Sequence, residues 1–219
     1  MAAASEHHSL FVRAKLVQMF DALERVDGTP IEAAAFHSFA FFVNVLSPLW
    51  DLHPFEGSVL KEHGSPFFPA VQRELDALIG DRLVKVTDLS LSTSSTGDEP
   101  KLVASFTLER SKCVELLASI RALPDERQSE GFLLELADAF VSIRPELRDD
   151  VAVVDAAYSD PSIAEGRIVD FAEWVSSTND NASWRVAQEF QRFAPDNVSL
   201  SRAEKLVMYM RLMKRRVHG

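Results

Sequence analysis

Apolar residues near the start of the chain follow a helical repeat. They recur every three or four positions from Phe11 to Leu23, which places them on one face of a helix. We therefore predict a helix over residues 10–26, ended by Asp27 and Gly28.

The next stretch is apolar on almost every side up to Leu46, so we predict a buried helix there. Thr29 is its expected N-cap and Pro30 its first residue, a position at which the missing N–H of proline costs nothing. Pro48 ends this helix, and residues 49–68 contain too many prolines and glycines for a long regular element.

A third helix and two strands complete the first half. Residues 69–79 have apolar positions on one face and charged positions on the other, and Gly80 follows them, as is typical of a helix end. Residues 83–91 and 101–108 have the composition of strands, and the polar loop between them contains glycine and proline. We predict an antiparallel hairpin with a long tip.

The second half is predicted to be helical. Prolines fall between its apolar segments, where helix breakers are expected, and Ser201 with Glu204 matches a capping box at the start of the last segment. The predicted helices cover residues 111–123, 130–143, 146–158, 163–176, 184–193 and 202–217.

Three helices followed by a two-stranded hairpin is the plan of a winged helix, in which the hairpin, or wing, covers the open edge of a three-helix core. The predicted fold class is mainly α (α+β): a winged-helix domain over residues 1–108, and a C-terminal helical region over residues 109–219 packed on it. The irregular segment before the third helix is longer than in a compact winged helix.

Composition favours a soluble protein of a reducing compartment. Cys113 is the only cysteine, so neither a disulfide within the chain nor a cysteine-based zinc site can form. The longest apolar run, residues 36–46, is shorter than a membrane span and contains His37, Ser38 and Asn44. The first residues lack the pattern of a signal peptide. We expect a cytoplasmic protein.

Charge is uneven along the chain. The formal net charge is −10, but residues 202–219 contain six bases and one acid, which gives +5 there and leaves −15 for the rest. An acidic body argues against a general nucleic-acid coat protein. Two interpretations of Lys214, Arg215 and Arg216 stay open: a small DNA contact, or charges that stabilise the negative end of a helix.

Local motifs for catalysis, metals or cofactors are missing from the sequence. The six histidines lack metal-binding spacings, and residues 57–61 resemble a phosphate loop without its second glycine and final hydroxyl residue. Cys113 stands among apolar residues of a predicted helix and is expected to be an inert thiol. We expect a non-enzyme without cofactor or metal, while an active site assembled from distant residues stays a third alternative.

Winged helices often read DNA with the third helix and the wing. Here the third helix carries Arg73 among acidic residues, and the hairpin tip carries Asp98 and Glu99, which repel phosphate. A protein-binding winged helix is therefore favoured over a DNA reader. The candidate DNA-binding residues are Arg73, Arg82, Lys85, Lys101, Lys214, Arg215 and Arg216.

The proline-rich segment, residues 47–69, concentrates large apolar side chains. It is either a loop folded over the core or an exposed anchor surface for a partner. On the second interpretation, Trp50→Ala is expected to weaken assembly with a partner without unfolding the chain. The candidate partner-binding residues are Trp50, Phe55, Lys61, Phe67 and Arg73.

Five short blocks within residues 36–86 resemble a known family. The pattern is similar to the middle component of three-component ABC-type systems, which include the small subunit of Lamassu anti-phage defence systems. It covers under half of the chain, and Glu56 departs from it where an aspartate is expected. The blocks are FFVNVLSPLWD (41–51), EGSVLK (56–61), GSPFFPAVQRELD (64–76), LIG (78–80) and LV (83–84).

This resemblance implies a non-catalytic role. Such subunits accompany an SMC-like ATPase, which senses foreign DNA, and a separate effector that is often a nuclease. They bridge the two and help to hold the effector inactive. By this resemblance the chain is expected to be an adaptor subunit of a hetero-oligomer, with a candidate DNA contact inside the complex and no membrane contact. The alternative is a winged-helix transcription regulator that binds DNA and dimerises through its C-terminal helices.

Overall fold

The computed structural model describes residues 2–61, 65–92, 101–161, 163–164, 166–170 and 181–218. With 60% helix and 12% strand, it confirms the predicted mainly helical α+β class. The helices are α1 (Ala2–Arg25), α2 (Ala33–Leu46), α3 (Pro69–Gly80), α4 (Arg110–Arg121), α5 (Pro124–Val141), α6 (Ala182–Glu189) and α7 (Arg202–His218). The strands are β1 (Ile31–Glu32), β2 (Ser58–Leu60), β3 (Val84–Ser92), β4 (Lys101–Leu108) and β5 (Ile168–Asp170), and short 3-10 turns cover Ser47–Trp50, Pro145–Leu147 and Phe190–Phe193.

Helix α2 is the centre of the fold. Every residue from position 35 to position 46 is buried, as its apolar composition on all sides predicts. Phe36 stacks on Phe20 of α1 with 4.4 Å between ring centroids. Within the described ranges, the stretch Ala33–Trp50 is long and apolar enough for a membrane span, but 83% of it is buried inside the fold, as in the core helix of a soluble protein.

A strand, and not the start of a helix, connects α1 to α2. The prediction that Thr29 is an N-cap and Pro30 a first helical residue is wrong, because α2 begins only at Ala33. Ile31–Glu32 pair antiparallel with β4, and Ile31 is 2% exposed. This pairing partner lies far away in the sequence, so local helix signals could not reveal it.

Strands β1, β4 and β3 form one sheet in this order. The hairpin β3–β4 is confirmed close to the predicted bounds, and residues 93–100 of its tip lie outside the described residues. Phe106 and Leu108 of β4 are both 4% exposed. The base of the hairpin therefore closes one side of the core, where β4 packs against α1 and α2.

The C-terminal region differs most from the prediction. Residues 146–158 form turns and not the predicted helix. The Asp155 carboxylate accepts hydrogen bonds from the backbone N–H of Ala157 (2.8 Å) and Tyr158 (3.3 Å), which competes with helical hydrogen bonding. Of the predicted helix 163–176, residues 168–170 form β5 instead, and the end of that prediction, residues 171–176, lies outside the described residues.

One hydrophobic core joins the two halves of the chain. Strand β5 pairs antiparallel with β2, with Val169 opposite Val59. Asn181 donates a hydrogen bond of 2.7 Å to the carbonyl of Val45 in α2. Tyr209 of α7 belongs to the same buried cluster as α2. The C-terminal region therefore packs on the N-terminal half, while a domain boundary at residue 108 stays a prediction.

Candidate interaction surface

The hairpin carries an apolar face that extends beyond the core. In β3, Val84 and Val86 are two residues apart, but Leu89 follows three residues later, which would turn it to the opposite face of a regular strand. A bulge between Val86 and Asp88 absorbs the extra residue. Leu89 and Leu91 therefore share one face with Val84.

Exposure rises along this face from the core towards the tip. Val84 is 2% exposed, whereas Val86, Leu89 and Leu91 are 42%, 64% and 70% exposed. Among the described strands, β3 pairs only with β4, so it is also a sheet edge. Soluble proteins rarely leave apolar side chains on an unpaired edge unless the surface binds something. We name Val86, Leu89 and Leu91 the wing face.

The outer side of α3 has a balanced charge. Arg73 and Asp76 are exposed on the helix, and Asp81 and Arg82 are exposed directly after it. Two bases thus stand beside two acids, and Asp81 lies 3.6 Å from the guanidinium of Arg13. A phosphate group would meet repulsion as well as attraction here.

Arg73 also has a partner within α3. Its Nε donates to one oxygen of Glu74 over 3.0 Å, and Arg13 donates to the other oxygen over 2.6 Å. Burial raises the pKa of Glu74, but hydrogen bonds from Arg13, Ser9 and Arg73 outweigh it and hold this pKa below its ordinary value. Glu74 therefore stays charged and offsets part of the positive charge of Arg73.

The remaining candidate DNA-binding residues lie on the hairpin and on α7. Near the hairpin, Lys85 forms an ion pair with the glutamate that follows β4, and the side chain of Lys101 lies outside the described part of the structure. On α7, Lys214 and Arg216 donate to backbone carbonyls of the chain itself, and Arg215 is exposed. Three of these five bases thus already have partners within the chain.

Trp50 lies in the core of the chain. It is 7% exposed, and its ring centroid is 5.2 Å from that of Phe132 in α5. The guanidinium of Arg202 lies 5.9 Å from the ring, and the Gln128 amide donates to the Trp50 carbonyl. For Trp50, the geometry favours the interpretation of the proline-rich segment as a loop folded over the core.

A buried amide positions the middle of the proline-rich segment. Asn44 of α2 is fully buried, and its Oδ1 accepts hydrogen bonds from the N–H groups of Phe55 (2.9 Å) and Glu56 (3.2 Å). Phe55 is 4% exposed, whereas Phe67 is half-buried with its ring 5.0 Å from the His37 ring. Phe55 and Phe67, both candidate partner-binding residues, therefore pack against the chain itself.

Lys61 is buried with its hydrogen bonds made inside the chain. Its Nζ donates to the carbonyls of Asp160 (3.1 Å) and Ile163 (2.8 Å) and lies 5.8 Å from the ring centroid of Tyr158. Backbone carbonyls and an aromatic face are favourable surroundings for an ammonium group that has lost its water. Lys61 thus fixes the loop before β5, and a direct contact with a partner stays a prediction.

An apolar cleft that the sequence did not indicate lies between α1, the proline-rich segment and α5. It is open to solvent and has a volume of 180 Å³. Phe11 forms one edge and is 44% exposed, although the helical repeat assigns it to the buried face. We name this feature the α1–α5 cleft. Its apolar lining consists of Phe11, Val43, Leu52, Phe55, Phe132 and Leu133.

Asp155 is the centre of a buried polar cluster. It accepts hydrogen bonds from the hydroxyl groups of Ser183 (2.7 Å) and Tyr209. Burial raises the pKa of Asp155 against the opposing effect of these hydrogen bonds, and burial with the nearby carboxylate raises the pKa of Tyr209 well above its ordinary value. The Tyr209 hydroxyl therefore keeps its proton and donates, which ties α6 and α7 to the turns at residues 150–158.

Cys113 has the surroundings of an inert thiol. It is buried, with Sγ 3.7 Å from the carbonyl of Leu83. Burial, followed by the charges of Glu109 and Glu24, raises the pKa of this thiol, which keeps it protonated at neutral pH. Over the described ranges, no three His, Cys, Asp or Glu side chains stand close enough together to hold a metal ion.

Three surfaces thus stand out on the described part of the chain: the wing face, the outer side of α3 and the α1–α5 cleft. The first and third are apolar and open to solvent, and the second has balanced charge. This combination is more typical of protein contacts than of phosphate binding.

No protein-family model, curated protein or solved structure matches the chain.

Proposed function

We propose that the first half of the chain is a winged helix that binds protein. The order α1, β1, α2, β2, α3, β3, β4 supports this, because three helices, with two short strands between them, precede a hairpin, as in the plan of that fold. In the sheet, β1 adds a third strand beside β4. Helix α3 then occupies the place of the recognition helix, and β3–β4 that of the wing.

On this fold the chain acts as a non-catalytic adaptor subunit of an anti-phage defence complex in the cytoplasm. The resemblance within residues 36–86 to the middle component of three-component ABC-type systems motivates the partners, an SMC-like ATPase and an effector nuclease. The adaptor bridges the two and helps to restrain the effector until DNA is sensed.

The observation that carries this proposal is the wing face. Its apolar side chains become more exposed with distance from the core, up to 70% at Leu91, although the hairpin base is buried. Covering such side chains with a partner removes apolar surface from water, which is the main driving force of protein association. The balanced charge beside α3 disfavours DNA as that partner.

The test is co-purification of the chain with the two proposed partners after co-expression. Leu89→Asp places a charge in the wing face and is expected to weaken capture about thirtyfold or more, as for a central interface residue. Ser90→Asp is the matched control, because Ser90 is exposed and points to the opposite face of the same strand. Thermal unfolding of both variants should stay close to that of the wild type.

The result that would overturn the proposal is equal capture of the Leu89 and Ser90 variants, or no capture by the wild type.

Restraint of the effector nuclease is tested by a separate measurement of its activity. Omitting the chain should leave the effector nuclease active without foreign DNA, and adding the purified chain back should reduce that activity.

One observation favours a second function, DNA binding by a transcription regulator. Arg73 and Arg82 are exposed on and just after the helix in the recognition position. If this function holds, the lone chain is a dimer on size exclusion and binds duplex DNA with a steep salt dependence that Arg73→Ala reduces. A monomer that shows no salt-dependent DNA binding would exclude the regulator and favour the adaptor function.

A further inference from the structure

The α1–α5 cleft combines apolar walls with an acidic mouth. Phe11 stands at the edge, and Phe55 and Phe132 form part of the wall. The ionisable side chains that line the cleft are Lys15 of α1, His53 of the proline-rich segment, and Asp125 and Glu126 in the first turn of α5. These side chains determine which partners can bind, because a charge at the rim of the cleft favours a partner group of opposite charge.

Most of the charge at the mouth is compensated inside the chain. Lys15 donates to Glu126 over 2.6 Å and to Ser129 over 2.7 Å. Burial raises the pKa of Glu126, but hydrogen bonds from Lys15 and Gln18 outweigh it and keep this pKa below its ordinary value. The two charges therefore cancel each other.

Asp125 is the charge that remains. It is exposed at the mouth, at the first turn of α5, and has no ion pair among the described residues. Lys15 Nζ already lies 5.6 Å from the Phe11 ring centroid and is paired with Glu126, so a further cationic group bound at this cleft would find its opposite charge in the Asp125 carboxylate. An anionic group would meet repulsion from Asp125 and from a chain whose net charge is −10.

We propose that the α1–α5 cleft binds a segment of a partner protein in which an apolar side chain stands next to lysine or arginine. The apolar side chain fills the cleft against Phe11 and Phe55, and the base pairs with Asp125. This assignment rests on the proposed adaptor function and gives it a second contact, separate from the wing face. A second copy of the same chain is disfavoured, because two acidic bodies repel each other.

The first experiment selects random peptides displayed on phage against the full chain. The enriched peptides are expected to share an apolar residue beside Lys or Arg. Binding of one such synthetic peptide, measured by fluorescence anisotropy, should weaken about tenfold or more in Phe11→Ala and several-fold in Asp125→Lys. Added salt should weaken peptide binding to the wild type but not to Asp125→Lys.

Two matched controls accompany these variants. Phe193→Ala removes an aromatic ring that is 81% exposed elsewhere, and Asp138→Lys reverses an exposed charge on the same helix, α5. Both should bind the peptide like the wild type. The assignment is overturned by acidic enriched peptides, by no enrichment, by equal binding to Phe11→Ala, or by a concentration-dependent dimer that Phe11→Ala abolishes.

Co-purification with the SMC-like ATPase and the effector separates this assignment from the adaptor function. If the wild type captures its partners and Phe11→Ala and Asp125→Lys capture them equally well, the cleft assignment fails and the adaptor stands. If the wild type captures neither partner but the peptides behave as expected, the adaptor function fails, and the cleft binds such a segment of a different protein.

Discussion

Replacing Trp50 by alanine should lower the free energy of unfolding of the chain, and not only weaken its assembly with a partner. The side chain is 7% exposed and contacts Phe132 of α5. Burial of an aromatic side chain removes roughly 150–250 Å² from water. At about 25 cal/mol per Å² this stabilises the fold by about 4–6 kcal/mol, as an upper limit, since unfolded chains already bury part of that area.

The expected loss is therefore about 3–5 kcal/mol, which agrees with the usual cost of removing a buried tryptophan ring. For a chain of this size each kcal/mol lowers Tm by about 2–4 °C, so Tm should fall by roughly 6–20 °C. Urea denaturation followed by far-UV circular dichroism measures the free energy of unfolding. Phe193→Ala, at a ring that is 81% exposed, is the control and should change it by less than about 0.5 kcal/mol.

A loss below about 1 kcal/mol for Trp50→Ala, together with failed assembly, would refute this reasoning. The Trp50 ring would then be a partner anchor, as the alternative interpretation of the proline-rich segment holds. The cavity that alanine leaves beside Phe132 is the physical source of the expected cost, so Trp50→Phe, which fills part of it, should cost clearly less.

Two further predictions concern buried polar groups. Tyr209→Phe removes a donor to the buried Asp155 carboxylate and should lower the free energy of unfolding by about 1–3 kcal/mol in urea denaturation, while an unchanged value would contradict the hydrogen bond. Burial lowers the pKa of His37 against the opposing hydrogen bond with Gln72, so the unfolded chain takes up the proton first. Stability that His37 supplies in neutral form should therefore be lost as pH falls from about 6.5 towards the folded pKa, by at most about 1.4 kcal/mol per pH unit. The difference in unfolding free energy between wild type and His37→Gln should shrink as pH falls from neutral to about 5, and a constant difference would exclude this role.

Elements with strong local signals were predictable from the sequence. The capping box before α7 forms as predicted: Glu204 accepts from the Ser201 N–H over 2.8 Å, and the Ser201 hydroxyl oxygen accepts from the Glu204 N–H over 3.2 Å. Helix α3 also lies where its amphipathic repeat indicates, and extends one residue further to Gly80. In both cases the residues that define the element are neighbours in the sequence.

Short strands with distant partners were not predictable. Strands β1, β2 and β5 contain two or three residues each, too few for an alternating pattern to appear. Each forms because of hydrogen bonds to a strand far along the chain. The turns at residues 150–158 depend in the same way on Asp155, whose carboxylate competes with a helix that composition alone would allow.

The candidate surfaces were only partly readable from the sequence. The three-residue step from Val86 to Leu89 was a visible signal of the bulge that gathers the wing face on one side. The α1–α5 cleft had no such signal, because its walls come from α1, the end of α2, the proline-rich segment and α5. Burial of Trp50 and Lys61 was equally hidden, since it depends on α5 and on the loop before β5.

The pairing of β2 with β5 also has a consequence for biosynthesis. Val59 and its partner Val169 are separated by 110 residues. At a translation rate of about 5–20 residues per second, β2 leaves the ribosome roughly 5–20 s before its partner strand does. During that interval the nascent chain exposes an unpaired edge beside the strongly apolar α2, so the emerging polypeptide is a natural client for chaperones.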